Sequence, residues 1–387
     1  MNKIISVLTA TRAEYGLLRP IIDRLKGVEE FDVRIVVTGA HLSQEFGLTY
    51  REIEEDGFAI DEKIEILLSS DTPASISKSM GLALISFADY FKKRNPDLLI
   101  VLGDRYETLA VVIAAMNQRI PIAHLYGGET TEGAIDESIR HAITKMSYLH
   151  FTSTQEYRNR IIQLGENPNR VFCVGAIGIE NIKKIRLMTK AELQESLNFN
   201  LETTYAVVTF HPVTLETNET KKQITALLKA CCSVPNMKFI FTKANADADG
   251  RIINHMLDEY VSVNKNAIVV DSLGTTRYLS ALNYAAMVIG NSSSGLVEAP
   301  SFGIPTVNIG DRQRGRLQGD SIINCAPSTK EISRAIQFAL SEEFIEIARS
   351  AVNPYGDGRV SDQVLDILCR FILEEKIDLK KAFYDLK

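Results

Sequence analysis

The chain lacks several features that would place it in a common class of protein. It has no run of about 18 consecutive apolar residues, so no segment predicts a membrane-spanning helix. No basic block stands out, and the formal net charge of −6 argues against a nucleic-acid-binding protein. The start, Met1–Leu8, resembles a signal peptide only superficially, because Arg12 and Glu14 follow it without a small-residue cleavage site.

Paired cysteines and common cofactor motifs are also missing. The five cysteines are odd in number and contain no Cys-x-x-Cys pair, which predicts reduced thiols in the cytoplasm and no zinc site. The loop after the first apolar run lacks the Gly-x-Gly-x-x-Gly dinucleotide fingerprint, and no Walker lysine motif occurs. Asn245–Gly250 resembles a calcium loop, but the twelfth position is Met256 and not glutamate, which excludes calcium. We therefore expect no metal and no cofactor.

The chain does contain a regular alternation of apolar and amphipathic segments, and 45% of its 387 residues are hydrophobic. The strand-like apolar runs are Ile4–Leu8, Val33–Val37, Leu98–Leu102, Ile120–Leu125 and His150–Thr152, then Tyr205–Phe210, Phe239–Phe241, Ala267–Val270, Met287–Ile289 and Thr306–Ile309. The helix-like segments between them include Arg19–Leu25, Ile76–Phe91, Thr108–Met116, Glu137–Met146 and Lys221–Ala230. This alternation predicts an α/β fold with two doubly wound domains, residues 1–175 and 176–361, followed by a helical tail at 362–387.

The most informative stretch is Val288–Glu298, where an apolar run ends in a turn rich in serine and glycine before a helix-like pattern. A helix start presents unpaired N–H groups and the positive end of a dipole, which suits an anion. Ser292 and Ser293 add hydroxyl donors, and Glu298 offers a carboxylate to sugar hydroxyls. We interpret the stretch as a binding site for a nucleotide diphosphate and its ribose. The alternative is a serine N-cap on an ordinary helix.

Two strand ends in the first half carry charged groups. Arg12 follows the first apolar run and can pair bidentately with a phosphate, the alternative being a surface arginine in a strand-to-helix loop. Asp104 and Arg105 follow Leu98–Leu102, and Asp104 is placed to act as a base or to bind a sugar. Its alternative role is that of N-cap for a helix from Thr108.

Four carboxylates crowd the nine residues after the Gly-Gly turn. They are Glu129, Glu132, Asp136 and Glu137. Such crowding can raise a carboxyl pKa into the range useful for proton transfer. The alternative is local helix pairing, of Asp136 with Arg140 and of Glu137 with His141. We expect some of these carboxylates to be structural and one or two to be catalytic.

The second half has three further candidates. His211 ends the first strand of the second domain, where it can donate to a phosphate or transfer a proton, although a lone histidine is often structural. Asn245 begins a turn that either is a plain Asx turn or contacts the sugar. Arg312 belongs to an arginine cluster, Gly310–Arg316, for which we prefer a phosphate-facing role over solvated charge. Ligands sit beyond the carboxyl ends of strands in open α/β sheets, so two facing sheets predict an interdomain cleft.

In their order along the chain, these motifs resemble those of the hydrolysing UDP-N-acetylglucosamine 2-epimerases of sialic-acid-type sugar synthesis. The motifs are Arg12–Tyr15, Gly103–Arg105, Gly127–Glu129, Ile139–His141, Phe210–Pro212, Gly290–Ser293, Glu298 and Arg312–Gln313. Each motif alone is weak, but their joint order over nearly the whole chain is highly specific. The resemblance implies two Rossmann-like domains in a glycosyltransferase-B arrangement, with the C-terminal helix packing back on the first domain.

The resemblance also implies roles for individual residues. Those expected to bind UDP and the sugar are Arg12, Arg105, His211, Asn245, Ser292, Ser293, Glu298 and Arg312. Those expected to be catalytic are Asp104, Glu129, Asp136, Glu137 and His211. Many members of the wider family read His-x-Glu before the two glycines, whereas this chain has Tyr126 in the third position. Glu129, Asp136 or Glu137 must therefore supply the proton chemistry of that missing carboxylate.

The implied reaction is an elimination followed by a hydration, which needs no redox cofactor. A base removes the proton at C2 of UDP-N-acetylglucosamine, UDP leaves C1, and the bound glucal takes up water to give N-acetylmannosamine. One alternative is the same reaction on UDP-2,4-diacetamido-2,4,6-trideoxyglucose. Others are a non-hydrolysing epimerase or glycosyltransferase of the same fold, and a nucleotide-sugar-binding regulator without catalysis. The expected partners are the UDP-sugar and further copies of the chain, in a dimer or tetramer.

Overall fold

The computed structural model describes residues 2–70, 72–131, 134–212, 219–244, 249–356, 358–375 and 377–386. The chain divides into two compact units. The first comprises Met1–Glu129, Asp136–Asn181 and Tyr355–Lys387, and the second comprises Thr130–Ile135 and Ile182–Pro354. Each unit contains a parallel sheet with helices, so the predicted pair of α/β units is confirmed. The predicted domain limits after residues 175 and 361 stay predictions.

Within the described residues, the first unit contains a seven-stranded parallel sheet. Its strands are β1 (Lys3–Thr9), β2 (Phe31–Thr38), β3 (Ile60–Ile64), β4 (Leu98–Leu102), β5 (Ile122–Leu125), β6 (Leu149–Thr152) and β7 (Val171–Cys173). The strand order is β3-β2-β1-β4-β5-β6-β7. The chain therefore changes direction across the sheet between β1 and β4, and such switch points are where open α/β sheets bind ligands.

The described part of the second unit contains a six-stranded sheet that is also parallel throughout. Its strands are β8 (Tyr205–Thr209), β9 (Lys238–Thr242), β10 (Ala267–Val270), β11 (Met287–Gly290), β12 (Thr306–Ile309) and β13 (Ile322–Cys325). The order is β10-β9-β8-β11-β12-β13, which puts the switch point between β8 and β11.

Helices connect most of the successive strands. In chain order they are α1 (Arg12–Lys26), α2 (Tyr50–Glu55), α3 (Pro73–Arg94), α4 (Tyr106–Asn117), α5 (Asp136–Met146), α6 (Gln155–Gln163), α7 (Ile177–Lys184), α8 (Lys190–Leu197), α9 (Thr220–Cys232), α10 (Gly250–Val263), α11 (Gly274–Tyr284), α12 (Ser294–Val297), α13 (Thr329–Ala339), α14 (Glu342–Ser350) and α15 (Val360–Cys369). Short 3-10 turns lie at Gly39–Leu42, Pro168–Arg170 and Ala299–Phe302. No helix in the described ranges is long and apolar enough to cross a membrane.

Apolar side chains cover both faces of the first sheet. Ile5 and Val7 of β1 belong to one buried cluster, whereas Leu8 of β1 and Leu99 and Val101 of β4 belong to another. Because successive strand residues point to opposite faces, the two clusters lie on the two sides of the sheet. This double burial is the reason that the central strands read as near-continuous apolar runs.

All ten predicted strands are confirmed, and the strands that the sequence did not reveal are edge strands. β3 and β7 are the two edges of the first sheet, and β13 is an edge of the second. β3 reads Ile-Asp-Glu-Lys-Ile, and most residues of all three strands are only partly buried or exposed. Edge strands have one uncovered side and often carry polar residues there, so the continuous apolar signal is lost.

The C-terminal segment contains a helix, α15 (Val360–Cys369), that is shorter than the predicted one. Val360, Val364 and Leu368 of α15 join the buried cluster of the first unit, and a π-helical turn follows at Arg370–Glu374. The prediction of a helix as far as residue 387 is wrong beyond Glu374, because residues 377–386 form no helix. Tertiary contacts hold this part instead. Lys381 Nζ donates to Glu166 and to the backbone carbonyls of Lys145 and Ser147.

Candidate active site

The carboxyl end of β4 positions the first predicted catalytic residue. Gly103 turns the chain directly after β4. Its φ of 79° is a backbone conformation that residues other than glycine rarely adopt. Asp104 follows at the switch point beside β1. Arg105 is the N-cap residue of α4 and makes no side-chain capping bond. The alternative role of Asp104, as the N-cap of a helix from Thr108, is therefore wrong.

A buried guanidinium connects Asp104 with two more of the predicted residues. Arg140 of α5 is 1% exposed, and its Nη2 donates to Asp104 Oδ2. Its Nη1 donates to Glu137 Oε2 and to the backbone carbonyl of Glu129, both at 2.9 Å. A buried cation is tolerated only where such partners satisfy it, so Arg140 and the carboxylates fix one another. From the sequence, Arg140 was considered only as a local helix partner of Asp136, because burial is not visible in residue spacing.

Glu129 and Glu137 have additional partners. Glu129 is 4% exposed, and its Oε1 accepts from Ser153 Oγ at 2.8 Å. Glu137 Oε1 lies 3.0 Å from His141 Nε2, which confirms the i,i+4 pair. Asp136 begins α5 and is half-buried. Side-chain contacts therefore hold Glu129 and Glu137 in place, which suits groups that must act at defined positions.

The two arginines predicted to bind substrate at this edge are paired with carboxylates. Arg12 does not lie in a loop but is the first residue of α1, behind the N-cap Thr11. Its Nε donates to Glu52 Oε2 at 2.7 Å. Arg105 donates from Nε and Nη2 to the fully buried Glu107 at 3.1 and 3.2 Å. A phosphate contact would use the remaining donors of these guanidiniums.

Glu14 is a functional candidate that the sequence reasoning missed. Its Oε2 accepts from the backbone N–H groups of Ala10 and Thr11, at 2.7 and 3.2 Å, in a capping box at the start of α1. Burial raises the pKa of Glu14 to about 7, against the opposing charge of Arg105. Its Oε1 is buried without a hydrogen-bond partner among the described residues. A carboxyl that titrates near neutral pH is suited to proton transfer.

His124 of β5 supports the turn that carries Asp104. Its Nε2 lies 2.8 Å from the carbonyl oxygen of Gly103, and its Nδ1 lies 3.2 Å from Thr144 Oγ1. Burial lowers the pKa of His124 to about 3, so the ring is neutral and donates to that carbonyl from Nε2. The role of His124 is therefore to hold the backbone in place.

The turn after β5 carries Tyr126, at the position where many members of the wider family have glutamate. Tyr126 has φ of 66°, and its hydroxyl accepts from the backbone N–H of Ile177 at 2.9 Å. It thereby anchors the start of α7. A Cβ at Gly128 would lie 2.4 Å from the carbonyl oxygen of Tyr157, which excludes larger residues there. Tyr126 has a structural contact in place of a carboxylate.

In the second unit, a buried amide joins the ends of β8 and β11. Gly290 ends β11, and a Cβ there would lie 1.8 Å from the carbonyl oxygen of Thr209, so only glycine fits. Asn291 follows and is fully buried. Its Oδ1 accepts from the backbone N–H of His211 at 2.7 Å, and its Nδ2 donates to the backbone carbonyl of His211 at 2.8 Å. The switch point of this sheet thus fixes His211.

The serine turn contains two hydroxyl groups, those of Ser292 and Ser293, that make no hydrogen bond within the described residues. Ser293 is the N-cap residue of the short helix α12, but its side chain makes no capping bond, so the serine-cap alternative is wrong for this residue. Ser292, Ser293 and Glu298 are partly exposed. The following serine, Ser294, accepts from the hydroxyl of Tyr278 at 2.6 Å. The hydroxyls of Ser292 and Ser293 can therefore donate to a ligand at the carboxyl edge of the sheet.

The loop after β12 adds two side chains to the same edge. Gln313 is fully buried, and its Nε2 donates to the carbonyl oxygen of Asn291 at 2.8 Å. Arg312 Nη1 donates to the same oxygen at 3.4 Å. The structure therefore brings Arg312 close to the serine turn, and its phosphate-facing role stays a prediction. Asn291 and Gln313 had no assigned role in the sequence reasoning. Asn245 lies outside the described residues.

These features define a two-unit α/β enzyme with acid–base groups at one sheet edge and mostly neutral hydrogen-bonding groups at the other. The family model described as UDP-N-acetylglucosamine 2-epimerase matches residues 23–369, and the chain belongs to this family. It is therefore an epimerase, as the joint order of its motifs predicted.

Curated relatives cover most or all of the chain. A GDP/UDP-N,N'-diacetylbacillosamine 2-epimerase (hydrolyzing) of Campylobacter jejuni is 45% identical over 341 residues, 88% of each chain. The polysialic acid biosynthesis protein P7 of Escherichia coli is 40% identical over 387 residues, 100% of this chain and 98% of its own. A UDP-N,N'-diacetylbacillosamine 2-epimerase (hydrolyzing) of Legionella pneumophila is 34% identical and covers 97% of this chain and 98% of its own.

Solved structures share the fold over nearly the whole chain. The UDP-GlcNAc 2-epimerase of Neisseria meningitidis bound to UDP-GlcNAc has a TM-score of 0.79 at 19% identity and covers 95% of this chain and 100% of its own. The Methanocaldococcus jannaschii UDP-GlcNAc 2-epimerase, in complex with UDP-GlcNAc and UDP, has a TM-score of 0.76 at 19% identity. The match covers 94% of this chain and 99% of that structure's chain. These similarities establish the fold.

Proposed function

We propose that this epimerase is hydrolysing and acts on a UDP-activated 2-acetamido sugar, releasing UDP and the 2-epimeric free sugar. The observation that carries the proposal is the cluster around Arg140, which holds Asp104, Glu137 and the backbone of Glu129 at the switch point of the first sheet. Removing a weakly acidic proton from carbon requires carboxylates at fixed positions. The names of the relatives from Campylobacter jejuni and Legionella pneumophila support the hydrolysing reaction.

The proposed chemistry has two steps. In the first, a carboxylate takes the proton from C2 while the bond between C1 and the UDP oxygen breaks, which leaves a bound 2-acetamidoglucal and UDP. In the second, water adds its oxygen to C1, and C2 receives a proton on the opposite face. We assign proton removal to Asp104 and proton return to Glu129, which Ser153 orients. Asp136 and Glu137 then act from α5 by positioning these groups, Glu137 through Arg140.

The nucleotide is assigned to the carboxyl edge of the second sheet. Ser292, Ser293 and Arg312 offer donors to the diphosphate, and Glu298 offers an acceptor to the ribose hydroxyls. His211, fixed by Asn291, can protonate or hydrogen-bond the leaving phosphate. Donors held in place before the reaction stabilise the charge that develops as UDP departs. Arg12, Arg105 and Asn245 remain proposed substrate ligands.

The relatives favour UDP-N,N'-diacetylbacillosamine as the substrate. This sugar stands in the names of the relatives that are 45% and 34% identical. UDP-N-acetylglucosamine is the second candidate, supported by the name of the matched family and by the full-length relative from Escherichia coli, whose name refers to polysialic acid. The two sugars differ at C4 and C6, so the selecting side chains must contact those positions.

The test is to offer both UDP-sugars, and the GDP form of the first, in deuterated water and to identify products by NMR. We expect free nucleoside diphosphate and a free 2-epimeric sugar with deuterium at C2. A 2-epimer still joined to UDP would indicate a non-hydrolysing epimerase. Protium at C2 of the free sugar would contradict the elimination. Binding of UDP-sugar without any product would indicate a regulator in place of an enzyme.

Exposed apolar side chains support the further proposal of a homo-oligomer, either dimer or tetramer. Leu82 and Ile85 of α3 are 41% and 68% exposed. The two residues are three positions apart and so lie on one face of α3, and exposed apolar surface is unfavourable in water unless it is covered. Light scattering coupled to size-exclusion chromatography measures the mass in solution, and a monomeric mass would reject this proposal.

A further inference from the structure

The first unit has a pocket that none of the residues assigned above lines. It lies between the edge strand β7 and the C-terminal helical segment, and its volume is about 770 Å³. Pockets for small organic ligands have volumes of roughly 300–1,000 Å³. Its charged lining residues are Arg158, Arg170, Arg370 and Glu375. Three guanidiniums and one carboxylate give the lining a formal charge of +2, which is unusual in a chain whose net charge is −6.

Three aromatic rings form one wall of this arginine pocket. The ring of Phe371 packs edge-on against Tyr148, with centroids 6.4 Å apart, and against Phe172, with centroids 6.0 Å apart. Tyr148 and Phe371 are buried. Edge-to-face packing of this kind makes the wall rigid and connects the residue before β6 with β7 and the π-helical turn.

Two of the guanidiniums lie over these rings. The guanidinium carbon of Arg170 is 4.8 Å from the ring centre of Tyr148. That of Arg370 is 4.8 Å from the centre of Phe371 and 5.4 Å from that of Phe172. Stacking on an aromatic face holds a guanidinium in place and leaves the N–H groups at its rim free to donate.

The protein neutralises little of this positive charge. Arg158 donates to the backbone carbonyls of Val171 and Pro168, and Arg370 Nε lies 3.4 Å from Glu375 Oε1. The buried Nε of Arg170 has no hydrogen-bond partner within the described residues. A buried donor without a partner is unfavourable, and like charges held together repel one another.

The charge of Arg170 also acts on a neighbouring amine, that of Lys381. Burial lowers the pKa of Lys381, and the charges of Lys145 and Arg170 lower it further, against the opposing effect of Glu166. An anion in the arginine pocket would relieve both the repulsion and the unpaired donor of Arg170. Phosphate monoesters carry about two negative charges at neutral pH and accept bidentate hydrogen bonds from guanidinium, which matches a lining of +2.

We propose that the arginine pocket binds the phosphate group of a small organic phosphate monoester, with Arg170 as its principal ligand. Arg158 and Arg370 contribute their remaining donors. The aromatic rings and Ile367 provide the apolar surface for the organic part of the ligand. This site is independent of the proposed 2-epimerase chemistry.

The exposed thiol of Cys173 lines the pocket and reports on its occupancy. The experiment measures alkylation of Cys173 by iodoacetamide, using mass spectrometry, with adenosine 5′-monophosphate, inorganic phosphate or adenosine as the probe. Burial raises the pKa of the Cys173 thiol, so the reaction is run at alkaline pH. Cys232, an exposed thiol on α9 in the second unit, is the internal control.

We expect adenosine 5′-monophosphate at ten times its dissociation constant to slow alkylation of Cys173 about tenfold by mass action, without affecting Cys232. Inorganic phosphate should protect at higher concentration, and adenosine should not protect. Arg170→Gln should abolish the protection, whereas Arg186→Gln, which changes a 90% exposed side chain, should preserve it.

Three results would overturn the proposal. These are no protection of Cys173, equal protection by adenosine, and protection that survives Arg170→Gln. Thermal unfolding without ligand tests whether Arg170→Gln is still folded. If that variant unfolds, Arg170→Lys replaces it, because lysine keeps the charge but loses the bidentate contact. Protection by inorganic phosphate that is undiminished in Arg170→Lys would then contradict the assigned role.

Discussion

The carboxyl edges of the two sheets occupy equivalent places in similar folds but are built from different chemistry. In the first unit, the switch point holds ionisable groups connected through Arg140, which is 1% exposed. In the second, the amide of Asn291 joins the strand ends through two hydrogen bonds, and serine hydroxyls lie beside it. The comparison teaches that one edge is suited to moving protons, and the other to binding an anion through mostly neutral hydrogen-bond donors.

The same contrast applies to stability. A buried guanidinium needs its carboxylate partners, and removing one partner of a buried ion pair typically costs about 3–5 kcal/mol. A buried, hydrogen-bonded amide carries no such charge. Its removal leaves only neutral backbone groups without their hydrogen-bond partners. The first edge should therefore depend on pH and on charge, and the second should depend mainly on hydrogen-bond geometry.

The largest expected effect is on turnover, from Asp104→Asn. If Asp104 removes the C2 proton, the variant should lower kcat roughly 10²–10⁴-fold, because a positioned general base contributes about that much. The dissociation constant for UDP, measured by calorimetry, should stay unchanged, since the nucleotide is assigned to the second sheet. Asp23→Asn, at an exposed position of α1, is the matched control. An Asp104→Asn variant that loses UDP affinity but keeps its turnover would show that the first edge binds the nucleotide and does not remove the proton.

The next largest effect is expected from Asn291→Ala in the second unit. The change removes both hydrogen bonds to the backbone of His211 and leaves two buried polar groups unsatisfied. At about 1–3 kcal/mol for each group, the free energy of unfolding should fall by roughly 2–6 kcal/mol. Urea denaturation measures this loss. Asn324→Ala, at an exposed residue of β13, is the control, and an equal loss in both variants would show that Asn291 has no special role.

Glu14→Gln tests whether the first edge is the pH-dependent one. The folded-state pKa of about 7 lies above the ordinary value of 4.5. The contribution of protonated Glu14 to the free energy of unfolding is therefore fully present below pH 4.5 and is lost as pH rises through 7. Glutamine cannot ionise, so the free energy of unfolding of the variant does not fall in this way. The variant should accordingly gain roughly 2–3 kcal/mol on the wild type between about pH 5 and about pH 8.

Chemical denaturation across that pH range measures the gain of Glu14→Gln. The exposed Glu29→Gln is the control, and its difference from the wild type should not follow this profile. A constant difference between Glu14→Gln and the wild type over the whole range would show that Glu14 does not titrate there.

The smallest expected effect is from Ser292→Ala. If its hydroxyl donates to the diphosphate, the dissociation constant for UDP should rise by an amount equivalent to roughly 1–3 kcal/mol. Stability should hardly change, because the hydroxyl makes no hydrogen bond within the described residues. Calorimetry with UDP gives the affinity, and Ser262→Ala on α10 is the control. Unchanged affinity would remove Ser292 from the proposed site and weaken the contrast between the two edges.

The sequence predicted the central strands well but missed three of the four edge strands of the described sheets, β3, β7 and β13, because burial differs between them. β4 is buried on both faces and all five of its residues are apolar, and in the run Ile4–Leu8 of β1 only Ser6 is polar, so the pattern is strong. β3 is partly exposed, so Asp61, Glu62 and Lys63 interrupt it. Similarly, α1 was predicted only from Arg19, because the capping box of Thr11 and Glu14 was not used to locate its start.

By itself, the sequence determined the α/β class, the family and the strand ends where the candidate residues lie, because apolar periodicity and local motifs encode them. Only the tertiary structure decided how those residues are connected. Arg140 and Asp104 are 36 positions apart, and Asn291 and His211 are 80 positions apart. Burial and distant neighbours set the pKa of Glu14 and the pairing of Arg12 with Glu52. Local spacing carries no record of these contacts, since the fold creates the low-dielectric surroundings and the partners together.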